Sequence, residues 1–131
     1  MIRTLASLTF TAKQNIRGGA GPAQGADYLE KDEMAGILSA GRTILEAGSS
    51  IGEHTHPNTE ELYLVLDGHG RGVLDGETFE RRPGESVDIA IGAAHRCENH
   101  GEEPVVFIEV QSGTYFGEDD IVRLEDDFGR S

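Results

Sequence analysis

Cysteine is nearly missing from this chain: Cys97 stands alone. An internal disulfide is therefore excluded, and the usage fits a reducing cytosol. Apolar runs long enough to span a bilayer are also missing. The stretch from Met1 to Lys13 lacks the continuous apolar block of a secretory signal. It carries no acid but has Arg3, Lys13 and several hydroxyls, so an organelle transit peptide is the minor alternative to a cytoplasmic location. Positive charge is scarce, with 11 Lys and Arg against 24 Asp and Glu and a net charge of −13. That field repels nucleic acid and anionic membrane, and neither is expected as a partner. It also opposes capture of an anionic substrate, so a phosphate-bearing ligand would need a local arginine cluster. No internal repeat, low-complexity segment or second domain is visible, and 131 residues suffice for one domain with one core.

What is present is glycine. Eighteen glycines, many beside Asp or Asn, punctuate short apolar runs, the pattern of a many-stranded antiparallel fold with tight turns. Strands are expected near 36–45, 52–56, 61–66, 71–74, 77–81, 86–89, 94–99 and 105–111. Asp67-Gly68 and Asp75-Gly76 read as hairpin turns. Residues 15–25 read as a loop, and 27–34 as one short helical turn. In 61–66, Glu61, Tyr63 and Val65 share one face, while Leu62, Leu64 and Leu66 share the other. A strand apolar on both faces is covered on both. The N-terminal arm or a second subunit could supply the outer cover, and a homodimer is expected.

The chemistry concentrates in His54-Thr55-His56, Glu61 and the distant His95. Three imidazoles and a carboxylate form a ligand set for one first-row divalent metal in an open-sided site. His54 and His56 are two apart and so point to one side of a strand. Zn, Mn, Fe, Ni and Co all remain candidates.

Gly48, five residues, His54-x-His56, four residues, Glu61, six residues, Gly68 is the first motif of the cupin superfamily. Gly84, five residues, Ala90-x-Gly92, two residues, His95, three residues, Asn99 resembles the second, with Ala90 where the family usually has proline. The resemblance implies an all-β, single-domain double-stranded β-helix (jelly-roll) barrel with the metal inside: residues 1–35 as arm and loop, 36–131 as barrel and C-terminal tail. His95 to Asn99, Ile108 to Gly113, Gly117 to Arg123 and Asp126 to Arg130 resemble the C-terminal domain of type II mannose-6-phosphate isomerases. Those enzymes usually have Gln at the position of His54, and a lysine near that of Gly41. Asn15 to Gly19 resembles small stand-alone cupins instead.

The isomerase resemblance implies aldose–ketose isomerisation of a sugar or sugar phosphate. Arg130 matches the arginine that ends the isomerase motif and takes a catalytic or substrate role by that resemblance. Arg96 could grip phosphate bidentately, although strict alternation from His95 points it away from the metal. Tyr63 and Glu109 face inward by alternation, Tyr63 as a substrate contact; the base itself is not identified. Two other readings compete. Three histidines with open positions suit an Fe(II) dioxygenase, and the barrel could be a non-catalytic binding cup. His69, His100 and the Arg81-Arg82 pair read as solvated surface residues. Cys97 reads as a small buried hydrophobe, and the acidic tail 118–127 as solvated or bridging a dimer.

Overall fold

The computed structural model describes residues 4–29, 33–34 and 36–113, and the backbone of 122–123. Among the described residues, eleven strands form two sheets in which every pairing is antiparallel. The first sheet runs β1 (Thr11–Gln14), β2 (Pro22–Leu29), β3 (Ile37–Leu45), β10 (Val105–Gly113), β5 (Thr59–Asp67), β8 (Ser86–Ile89). The second runs β11 (Val122–Arg123), β4 (Ser50–Thr55), β9 (His95–Glu98), β6 (Gly70–Leu74), β7 (Glu77–Arg81). This is the two-sheet jelly roll that the motif spacing implies. Their inner faces meet in a core that includes Leu45, Ile51, Tyr63, Val65, Val87, Ile89, Val105 and Phe107. Among the described residues no helix is long and apolar enough to cross a membrane.

Alternation explains the burial. On β5, Glu61, Tyr63 and Val65 are buried, Leu62 and Leu64 are half-buried, and Leu66 is exposed. On β10, Val105, Phe107 and Gln111 are buried. Three expectations fail. Residues 27–29 are not a helical turn; they complete β2, whose Ala26 and Asp27 pair with Arg42 and Gly41 of β3. The segment read as a loop starts that strand at Pro22 and holds a 3-10 turn over Ile16–Gly18. Asp67-Gly68 is a turn between the two sheets rather than a hairpin, since β5 and β6 do not pair. Asp75-Gly76 does close the β6–β7 hairpin, with φ of 47° and 84°, the double positive φ of a type I′ turn. Val122 and Arg123 pair along β4, and the rest of the acidic tail lies outside the described residues.

The motif glycines Gly48, Gly68, Gly84 and Gly92 all have φ near 80–90°, a region open to glycine at little cost. Asn99, at 2% exposure, ties the barrel's end together. Its Nδ2 donates to the carbonyls of Leu45 (2.9 Å) and Glu103 (2.8 Å), and its Oδ1 accepts from the Gly101 amide. Asn99→Ala removes these partners in a buried place. It should destabilise the fold by roughly 2–4 kcal/mol, read as a lower urea midpoint; an unchanged midpoint would contradict this role.

Candidate metal centre

Strand β4 carries an irregularity between Ile51 and His54. Ile51 lies opposite Cys97, and His54 opposite His95. Three residues on β4 thus span two on β9, which is a bulge. Without it, Ile51 and His54 would face opposite ways; with it, both face inward. Gly52 occupies the bulge, and its carbonyl accepts a hydrogen bond from His54 Nδ1 at 2.7 Å. His95 Nδ1 donates to the Ala93 carbonyl at 3.2 Å. Both Nδ1 atoms are thereby pinned to the backbone, which leaves each Nε2 as the atom that could coordinate a metal.

His54, His56, Glu61 and His95 are all buried, and one donor atom from each lies within 4.8 Å of the others. His56 Nε2 is 2.8 Å from Glu61 Oε1. His95 Nε2 is 3.4 Å from Glu61 Oε2, and neither of these two atoms makes a hydrogen bond. Two buried polar atoms left in this state are costly. A cation shared between them would satisfy both, so the donor set fits a divalent metal. Burial and the neighbouring His95 push the His54 pKa down to about 3, which keeps this imidazole neutral, as a ligand must be. Burial alone would raise the Glu61 carboxyl. The imidazoles of His56 and His95 outweigh it and hold Glu61 well below the usual carboxylate range.

Gln111 supports the set. Its Nε2 donates to Glu61 Oε1 at 3.1 Å and to Glu109 Oε1 at 2.7 Å, so one amide orients two carboxylates. Burial, then the charge of Glu61, raises the Glu109 pKa to about 7. Tyr63 packs on His95 and Phe107, with ring centroids 6.0 and 5.1 Å apart. A cavity of about 440 Å³ opens over His54, His56, Glu61, Tyr63, Glu109 and Gln111.

The other sequence-stated residues fall elsewhere. Arg96 is not on this cavity wall; its Nη2 donates to Ser50 Oγ at 3.4 Å and its Nε lies 3.8 Å from Glu98. Arg130 lies outside the described residues. Cys97 packs against the hydrophobic core, and burial pushes its thiol pKa up. His69 and His100 are about half exposed, and Arg81 lies over the Phe79 ring. Gln111 went unnoticed in the sequence, although its two-residue offset from Glu109 was a usable signal. Lys13 and Arg17 also line the cavity; no local pattern announces them, because their placement depends on how the arm pairs.

Because His54 binds its proton more weakly when folded than at its ordinary value of 6.5, the unfolded chain takes up more protons between about pH 6.5 and 3. Metal-free parent should therefore lose more stability than metal-free His54→Gln as pH falls through that window, seen in the two urea midpoints. Parallel profiles of parent and variant would contradict the buried neutral imidazole. His54→Ala or His95→Ala should each remove bound metal, and with it the stability that the metal adds. Unchanged metal content in both, measured by elemental analysis, would sink the ligand assignment.

Comparison with known proteins agrees with this geometry. The family model for the mannose-6-phosphate isomerase C-terminal domain matches residues 24–126. The chain is 36% identical over 93 residues to a mannose-1-phosphate guanylyltransferase of Klebsiella pneumoniae, covering 71% of this chain and 20% of that protein. It is 36% identical over 99 residues to the alginate biosynthesis protein AlgA of Pseudomonas aeruginosa, covering 76% and 21%. The chain thus spans about a fifth of the length of these curated relatives. A Thermotoga maritima structure described as a predicted oxalate decarboxylase superposes with a TM-score of 0.83 at 29% identity, covering 87% of this chain and all of that one. The Schizosaccharomyces pombe Cnp3 cupin domain shares the fold, with a TM-score of 0.69 at 15% identity and coverage of 85% and 72%. The chain is a cupin domain and belongs to the mannose-6-phosphate isomerase C-terminal family.

Proposed function

We propose that this cupin is a metal-dependent aldose–ketose isomerase acting on a phosphorylated sugar. The observation that carries the reading is the pairing of Glu109 with the ligand set in one cavity. Glu61 is held strongly acidic and Glu109 is raised towards neutrality. Carboxylates whose environments push their pKa values apart divide the work of a site. Family membership and the sugar-phosphate enzymes among the relatives support the substrate class.

A divalent ion held by His54, His56, Glu61 and His95 would supply Lewis-acid polarisation of adjacent carbonyl and hydroxyl oxygens. The remaining work falls to the chain. Glu109, near its pKa, suits a group that takes a carbon-bound proton and later returns it. In the forward direction the C2–H bond breaks and its proton goes to the Glu109 carboxylate. The electron pair forms the C1–C2 double bond as the carbonyl π pair moves onto O1, giving an enediolate. The Glu109 carboxyl, whose proton exchanges with solvent, then delivers a proton to C1, while the O2 proton moves to O1, giving the ketose. Gln111 positions Glu109 throughout, and Tyr63 walls the cavity beside it.

The Thermotoga likeness favours a second reading, metal-dependent decarboxylation of a small dicarboxylic acid, since that structure is matched over its whole length. An Fe(II) dioxygenase would use the same ligands. The homodimer remains part of the proposal. The arm strands extend the sheet edge at β3, and Leu62, Leu64, Ile108 and Val110 stay half-buried on the outer face, the face a second copy would cover.

Proton NMR in D₂O of the chain loaded with manganese, zinc or iron distinguishes these readings. With mannose-6-phosphate or related aldoses and ketoses, deuterium should enter at C2 and ketose should form. Glu109→Gln should lower exchange at least a hundredfold while leaving metal content intact, and exchange by the parent chain should fall on acidification at or below about pH 7. No exchange with any metal, together with formate and carbon dioxide from oxalate, would replace the isomerase with the decarboxylase.

A further inference from the structure

We propose that Lys13 and Arg17 form an oxyanion subsite at the rim of the metal cavity, holding the phosphate of the sugar substrate. The phosphate assignment rests on the reading of this cavity as a sugar-phosphate site. A chain with a net charge of −13 needs local cations to hold a dianion. Lys13, Arg17 and Arg42 all border the cavity. Arg42 is set aside. It lies opposite Ile108, out of phase with Gly41 opposite Glu109, so alternation turns its side chain off the cavity face, and its Nη1 donates to the Tyr28 hydroxyl at 3.4 Å. Lys13 pairs with Ala23, a core residue, and so shares its inward parity.

Both remaining cations come from the arm, ahead of residues 24–126 that match the family. Each has a place made for it by glycine. The Lys13 Cε and Nζ lie 3.2 Å from where a Cβ on Gly25 would sit. Arg17 adopts φ 53°, ψ 33°, left-handed backbone that is strained for a non-glycine residue and persists only where surroundings enforce it. They do so here. The Asn15 side chain accepts from the Gly21 amide, and Gly19 donates to the Ile16 carbonyl. The Arg17 carbonyl abuts Gly52 where any Cβ would clash, as does the Ser50 carbonyl against Gly19. Gly52 is also the acceptor for His54 Nδ1. One residue therefore fixes both the turn bearing Arg17 and a metal-ligating imidazole.

Arg17 and Glu109 line the same cavity. Asp27, Glu61 and Glu109 outweigh the two cations, and a divalent ion on the ligand set would tip the balance positive. A guanidinium fork and an ammonium point charge then suit a phosphate monoester.

The test uses the metal-loaded full chain, titrated calorimetrically with inorganic phosphate, glycerol phosphate, mannose and oxalate. Arg17→Asn keeps a residue that tolerates left-handed backbone, and Lys13→Gln keeps the stem. Each should weaken phosphate and glycerol phosphate binding at least tenfold while leaving metal content and the thermal midpoint without phosphate unchanged. Phosphate affinity unchanged in both variants would overturn the proposal, because the anion would then sit on the metal alone. No phosphate binding by the parent chain would overturn it too, and so would oxalate binding as tight as phosphate's and lost with the same variants, which would mark a carboxylate subsite. Phosphate binding that depends on these residues, without proton exchange in any sugar phosphate, would keep the subsite and remove the isomerase.

Discussion

Three imidazoles and a carboxylate are packed against one another inside this barrel, and the rest of the structure is arranged around the cost of that burial. Polar groups removed from water must find partners. Here the outer nitrogens of His54 and His95 find backbone carbonyls, and one oxygen of Glu61 finds Gln111 and His56. His95 Nε2 and Glu61 Oε2 find no hydrogen bond among the described residues. A cation shared between them would complete both. The bulge at Gly52, the register of β4 against β9, and the Gln111 clamp all keep those donors converged.

The same convergence divides the cavity's carboxylates. Glu61 lies among imidazoles and is stabilised as an anion, while Glu109 lies two residue pairs along the sheet, opposite Tyr63, where burial dominates. Two glutamates brought together by a single amide therefore reach opposite protonation behaviour. That asymmetry supports reading this cup as a site for proton transfer.

The ligand set was legible because a fixed spacing of glycines and histidines survives without tertiary information. Gly48, Gly68, Gly84 and Gly92 mark turns with positive φ, and the expected strands from 36 to 111 fall within a few residues of those found. The arm was not legible. Pro22 to Leu29 contains one glycine, one proline, two alanines and one aspartate, a composition that reads as loop; it becomes a strand because β3 offers it a sheet edge. Asp67-Gly68 misled for a related reason: the dipeptide sets a local turn, but which sheet the chain enters next is decided by packing across the barrel. Lys13 and Arg17 reach the cavity only through that same arm pairing.

Extended X-ray absorption of the chain loaded with zinc or cobalt tests the metal centre most directly. The account predicts a first shell of three imidazole nitrogens and carboxylate oxygen at about 2.0–2.2 Å, with multiple scattering from the imidazole rings that is reduced in His95→Ala. A shell of water oxygens without an imidazole signature, or a sulfur contribution near roughly 2.3 Å from Cys97, would contradict it.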